Sequence, residues 1–161
     1  MPIKNSQLIN PDPFVMNEDE INCHVKSFLE KCDFTNVVAL RGNQPGEDVS
    51  GYKEGWKVTV ESKGSHANKH SDEIVFKDDQ LWDHLCKQIG KLMEYRNRGI
   101  SNSLLVAANP DIPRIHKHLN KVISSLNDLE IIRFWIDQNG EITVDYPTNL
   151  KPILKKLSLI E

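Results

Sequence analysis

Asp48–Gly64, DVSGYKEGWKVTVESKG, decides how the rest of the chain is read. Glu54-Gly55 supplies a two-residue loop, so antiparallel pairing sets Tyr52 against Lys57, Ser50 against Thr59 and Asp48 against Glu61. Strand alternation then places Val49, Gly51, Trp56, Val58, Val60 and Ser62 on a core-like face. Asp48, Ser50, Tyr52, Lys57, Thr59, Glu61 and Lys63 fall on the other, polar face. Carboxylates directly across a ladder, with Cβ atoms roughly 5 Å apart, repel one another unless a cation or a shared proton lies between them. Oxygen ligands of this kind suit magnesium, with manganese as a substitute. Lys63, two residues beyond Glu61, places an ammonium beside the same point.

Outward from the hairpin, the order of elements is legible. Residues 1–16 carry three prolines and read as an extended arm. Asn17 with Glu20 forms a capping box for a helix whose apolar stripe is Ile21, Val25, Phe28 and Leu29. Asn36–Leu40 is a first strand. After the hairpin, the polar stretch from Gly64 to Glu73 is rich in loop formers; His66 and His70 in it are either solvated side chains or, were it helical, a metal pair. A long helix runs from Asp78 or Asp79 to about Asn97, with Leu81, Leu85, Ile89, Leu92 and Met93, and Trp82 beside them, on a wide apolar face. Gln88 interrupts that apolar face.

Gly99 ends the helix, and Ser103–Asn109, SLLVAAN, is a buried strand. Pro113 opens a third helix with Ile115, Leu119, Val122, Ile123 and Leu126 on one stripe. Ile131–Ile136 and Ile142–Asp145 are two strands joined by the turn Asp137-Gln138-Asn139-Gly140, with Arg133 and Asp137 as edge features. The domain thus spans 17–146, and 147–161 is a tail with Leu150, Ile153, Leu154 and Leu157 packing back on it. The fold class is α/β, a mixed central sheet flanked by helices in the order α-β-β-β-α-β-α-β-β.

The chain has 161 residues, enough for one domain with a sizeable core. No apolar run approaches the roughly 20 residues needed to cross a bilayer, so no membrane partner is expected. Scattered Cys23, Cys32 and Cys86 fit neither a disulfide framework nor a zinc site, pointing to a cytoplasmic setting. The net charge of −3 runs against a protein built wholly around nucleic-acid phosphates, unless its basic residues gather on one side.

An Asp, a hairpin and then Glu61-Ser62-Lys63 resembles the PD-(D/E)xK nucleases, the restriction-endonuclease-like superfamily, over residues 18 to 145. Position 47 is Glu where the family name has Pro, and the literal Pro11-Asp12 lies too far upstream. The resemblance implies a restriction-endonuclease-like core and magnesium-dependent hydrolysis of phosphodiester bonds, in DNA, as an endonuclease of restriction, repair or mobile-element biology. It implies Asp48, Glu61 and the backbone carbonyl of Ser62 as metal ligands, Lys63 as the group that handles water or developing charge, and Gln88 as the glutamine that aims at the site. Glu20 is either the family's extra acidic residue or simply a cap. A glutamine buried on backbone explains Gln88 equally well.

Lys57, His66, Lys69 and His70 are the expected nucleic-acid contacts, and a homodimer is allowed. Two other readings stay open. One is a catalytically inactive nuclease-fold module that binds nucleic acid or a protein partner. The other is an unrelated α/β protein in which Asp48 and Glu61 lie apart.

Overall fold

The computed structural model describes residues 1–161. Its elements are β1 (Ile3–Lys4), α1 (Glu18–Lys31), β2 (Thr35–Ala39), β3 (Val49–Lys53), β4 (Trp56–Ser62), β5 (Ile74–Val75), α2 (Asp78–Asn97), β6 (Ser103–Pro110), α3 (Pro113–Asn120), α4 (Ile123–Asp128), β7 (Ile131–Ile136), β8 (Ile142–Asp145) and α5 (Lys151–Lys156). Six strands form one mixed sheet in the order β2-β3-β4-β6-β7-β8. The β2-β3-β4 meander and the β7-β8 hairpin are antiparallel. β6 lies parallel to both β4 and β7, because α2 and then α3 and α4 carry the chain back between them. The sheet is mixed and helix-flanked, as expected from the sequence.

Hairpin chemistry sets the register. Glu54 and Gly55 both adopt positive φ, 49° and 81°, as a tight primed turn requires. Tyr52 pairs with Lys57, Ser50 with Thr59 and Val49 with Val60, so the next step outward sets Asp48 against Glu61. Val49, Val58 and Val60 join Ile21, Val25, Leu29 and Phe134 in a core under α1 and α5. A second core on the opposite face packs Leu81, Leu85 and Leu92 of α2 with Leu105, Ala107, Ile115 and Trp135.

The face of β4 expected to be polar is not solvated. Thr59 and Glu61 are 3% and 1% exposed, because α2 crosses above them. β4 is therefore buried on both sides from Val58 to Ser62, and Glu61 sits in an interior setting with an ionisable group.

Three further elements differ from expectation. The third helix is two, α3 and α4, because Val122 leaves helical geometry (φ −126°, ψ 16°) where two β-branched residues follow one another. Arg133 is no edge feature: β7 lies between β6 and β8, and the side chain is 5% exposed, donating to Asn127 Oδ1 and the Ile131 carbonyl. A short ribbon was not foreseen, in which β1 pairs with β5 and fastens the amino-terminal arm. The same arm is held by Arg114, whose guanidinium meets Asp12 with both Nε and Nη2 at 2.7 and 2.6 Å.

One close approach fixes how α1 meets the end of β4. A Cβ on Gly64 would lie 2.7 Å from backbone atoms of Met16, Asn17 and Glu18. Ser65 N donates to the Met16 carbonyl at 2.8 Å, and His66 bridges to Asn17 beside it. Only glycine lets residues 64–66 pass this close to the start of α1, and that contact delivers Glu18 to Lys63. Replacing Gly64 with alanine should cost about 1–3 kcal/mol, read as a lower urea midpoint at unchanged m.

Candidate active site

Asp48 stands just before β3, and Glu61 and Ser62 end β4, so the site forms where the central meander meets the parallel half of the sheet. Asp48 Oδ2 accepts from Ser62 N at 2.8 Å, which fixes the carboxylate. Glu61 Oε1 accepts from the Tyr95 hydroxyl at 2.8 Å, and Lys91 Nζ stands 4.0 Å from Glu61 Oε2. The two acidic groups face each other across β3 and β4. Burial first, and the Asp48 charge second, raise the Glu61 carboxyl to about 7, while the Tyr95 hydrogen bond pulls it down. The Tyr95 hydroxyl is in turn pushed up by burial and by its carboxylate partner.

Lys63 leaves the end of β4 toward α1, with its Nζ 3.9 Å from Glu18 Oε2. Glu18 is also raised to about 7, chiefly by burial, against the lowering charge of Lys63. Glu20 is occupied elsewhere: its Oε2 accepts from Asn17 N while Asn17 Oδ1 accepts from Glu20 N, both at 2.8 Å. The acidic residue that α1 brings to Lys63 is Glu18, the first residue of the helix.

Gln88 is fully buried. Its amide nitrogen donates to the carbonyls of Glu61 and Ala108, at 2.9 and 3.2 Å, and it exchanges hydrogen bonds with the Asn109 amide. Those bonds fasten β4, β6 and α2 together directly behind Glu61 rather than presenting the amide to a water. Ser62 is fully buried too, and its Oγ has no partner.

The expected nucleic-acid contacts scatter. Lys57 Nζ is held by Glu47 at 2.7 Å, and Thr59 Oγ1 donates to the other oxygen of the same carboxylate. Glu47 therefore stands where the family name has Pro and ties down a lysine. His66 is 3% exposed, beneath the start of α1, and out of reach of a macromolecule. Lys69 is exposed and His70 half-buried on the same loop.

Three site residues were missed from sequence. Glu18 is one of three consecutive acids, Glu18, Asp19 and Glu20, and nothing local says which of them a distant strand will meet. Tyr95 and Lys91 carried a usable signal, since they lie seven and three residues after Gln88 and hence on its side of α2.

The donor set fits magnesium. No group of three or more His, Cys, Asp or Glu side chains forms a ready cage. Two facing carboxylates with a neighbouring carbonyl are nevertheless what this ion usually takes from protein, the remaining positions going to water and substrate phosphate. A divalent charge between Asp48 and Glu61 would also favour the ionised form of Glu61, which burial first and the Asp48 charge second disfavour.

Loss of the Tyr95 hydroxyl should shift this balance. In Tyr95→Phe, Glu61 loses the hydrogen bond that favours its charged form, so its titration moves upward. Any activity that needs ionised Glu61 should then rise at higher pH than in the wild type, as a pH-rate profile would register.

No helix is long and apolar enough to cross a membrane. No family model matches the chain, and no curated protein matches it. Among solved structures, the chain is similar to an FdxN element excision controlling factor protein from Anabaena variabilis, at 16% identity and a TM-score of 0.46, over 80% of this chain and 98% of that one.

Proposed function

We propose that this protein is a metal-dependent nuclease that hydrolyses phosphodiester bonds in DNA. The observation that carries the reading is the pairing of Asp48 and Glu61 across adjacent strands, with Lys63 leaving the same strand end. Asp48, Glu61 and the carbonyl of Ser62 would hold the ion. When bound, it supplies Lewis-acid charge beside a scissile phosphate and makes water a competent nucleophile at neutral pH.

The other residues set up that chemistry. Lys63 would orient the attacking water or meet the negative charge that grows on the phosphate. Glu18, 3.9 Å from the Lys63 ammonium, would steady it at the end of β4. Tyr95 keeps the Glu61 carboxyl in one orientation, and Gln88 pins the strand backbone behind it. These last three are positioning residues.

A second reading, a nuclease fold that binds nucleic acid without cutting it, draws support from Glu47, which occupies Lys57, and from the net charge of −3. The two separate in one assay: supercoiled and linear DNA incubated with magnesium or manganese, with and without chelator. Cleavage that needs the metal and disappears in Glu61→Ala supports the nuclease. Binding with no cleavage under any metal supports the second reading, and cleavage that persists in Glu61→Ala overturns this site.

A further inference from the structure

The outward face of α2 beside the carboxylate pair carries three cations, Lys87, Lys91 and Arg98, in one line with His84 and Tyr95. His84, Lys87, Lys91, Tyr95 and Arg98 recur at three- and four-residue intervals and so share one side of the helix. Contacts agree with the spacing. Lys91 stands at Glu61, Tyr95 donates to Glu61, and the Arg98 guanidinium lies 4.9 Å from the centre of the Tyr95 ring. At the other end, burial first and the charges of Lys63 and Lys87 next favour the neutral form of His84, which places both lysines near it. Lys87, Lys91 and Arg98 are exposed, and none of the three has a carboxylate partner closer than the 4.0 Å of Lys91 to Glu61. Asp83 and Glu94 flank the run without pairing to it.

From His84 to Arg98 the stripe is about 21 Å long at the ordinary helical rise, with the metal-site carboxylates alongside its middle. A chain of negative net charge thus lines up three cations without a close carboxylate partner on the side of α2 that borders its candidate active site. Charge complementarity selects a polyanion, and a length of this kind selects one with regularly repeated phosphates. Resting on the nuclease reading, we propose that α2 is the track for the DNA backbone, with Lys87 and Arg98 binding phosphates on either side of the one presented to Asp48, Glu61 and Lys63.

The test measures binding of a short DNA duplex by fluorescence anisotropy over a range of salt, with magnesium, in a Lys63→Ala parent that leaves the probe uncut. Adding Lys87→Ala and Arg98→Ala should weaken binding and flatten the plot of log K against log salt by about 2, roughly one for each lost phosphate contact. Lys155→Ala with Lys156→Ala, on α5 across the sheet, removes the same charge and should leave the slope unchanged. Equal slopes for the α2 variant and the parent overturn the proposal, as does an equal loss in the α5 control. If wild-type protein meanwhile cuts DNA with magnesium, the nuclease reading survives that failure. Wild-type protein that neither binds nor cuts overturns both.

Discussion

Substituting Lys63 with alanine is expected to lower magnesium-dependent DNA cleavage by about 10²–10⁴-fold while the protein stays folded. The magnitude is that of a positioned proton-transfer or charge-stabilising group removed from a hydrolytic site. The fold is expected to survive because the side chain is near the surface and its one ion pair, at 3.9 Å to Glu18, is long and partly solvated. Far-UV circular dichroism and the urea midpoint give the control. Single-turnover cleavage of a labelled duplex gives the rate. A Lys63→Ala protein that cuts at the wild-type rate would remove the amine from the chemistry and leave Lys63 as the solvated partner of Glu18. Lys63→Arg separates two roles: it keeps the charge but not the compact ammonium, so partial recovery points to charge stabilisation.

Glu61→Gln should have opposite effects on stability and on activity. At neutral pH and above, the wild-type protein without metal holds a buried carboxylate facing Asp48, and the folded state pays for that charge. The linkage has a definite sign. The carboxyl is raised to about 7 in the fold from an ordinary value of 4.5, so between these limits the folded state binds more protons than the unfolded one. Its contribution to stability is fully present below about pH 4.5 and is lost as pH climbs through 7. Glu18, raised to about 7 as well, adds in the same direction.

Metal-free wild-type protein should therefore lose unfolding free energy between about pH 5 and about pH 8, and magnesium should restore part of it by binding only the folded state. Glu61→Gln keeps an acceptor for the Tyr95 hydroxyl while removing the charge. It should be more stable than wild type at about pH 8 without metal, by on the order of 1–3 kcal/mol, and its stability should no longer respond to magnesium. Cleavage should fall by about 10²-fold or more. Urea unfolding at several pH values, with magnesium or chelator, checks both halves. A wild-type protein whose midpoint is flat in pH and indifferent to magnesium would contradict the paired-carboxylate site.

The hairpin was readable because its information is local. Glu54-Gly55 sets the turn, the turn sets the register, and the register sets Asp48 opposite Glu61. The capping box at Asn17 and Glu20, the glycine stop after α2 at φ +63° and the alternation in β4 and β6 are likewise written within a few residues of where they act. Side-chain alternation also says which residues of β4 share a face. It does not say what covers that face, and so Glu61 and Thr59 read only as part of a polar face when α2 in fact buries them.

What the sequence by itself determined is thus the register of the central hairpin, the start of α1, the limits of α2 and the coincidence of two acids and an amine at the end of one hairpin. Tertiary structure alone decided which acid of α1 meets Lys63, that the amide of Gln88 is spent on the backbone of β4 and β6, that Tyr95 and Lys91 attend Glu61, and that His66 is buried. The physical reason is range. Turns, caps and alternation follow from neighbouring residues and the geometry of the backbone, whereas each of these other contacts joins elements tens of residues apart, and its partner is chosen by how the helices settle on the sheet.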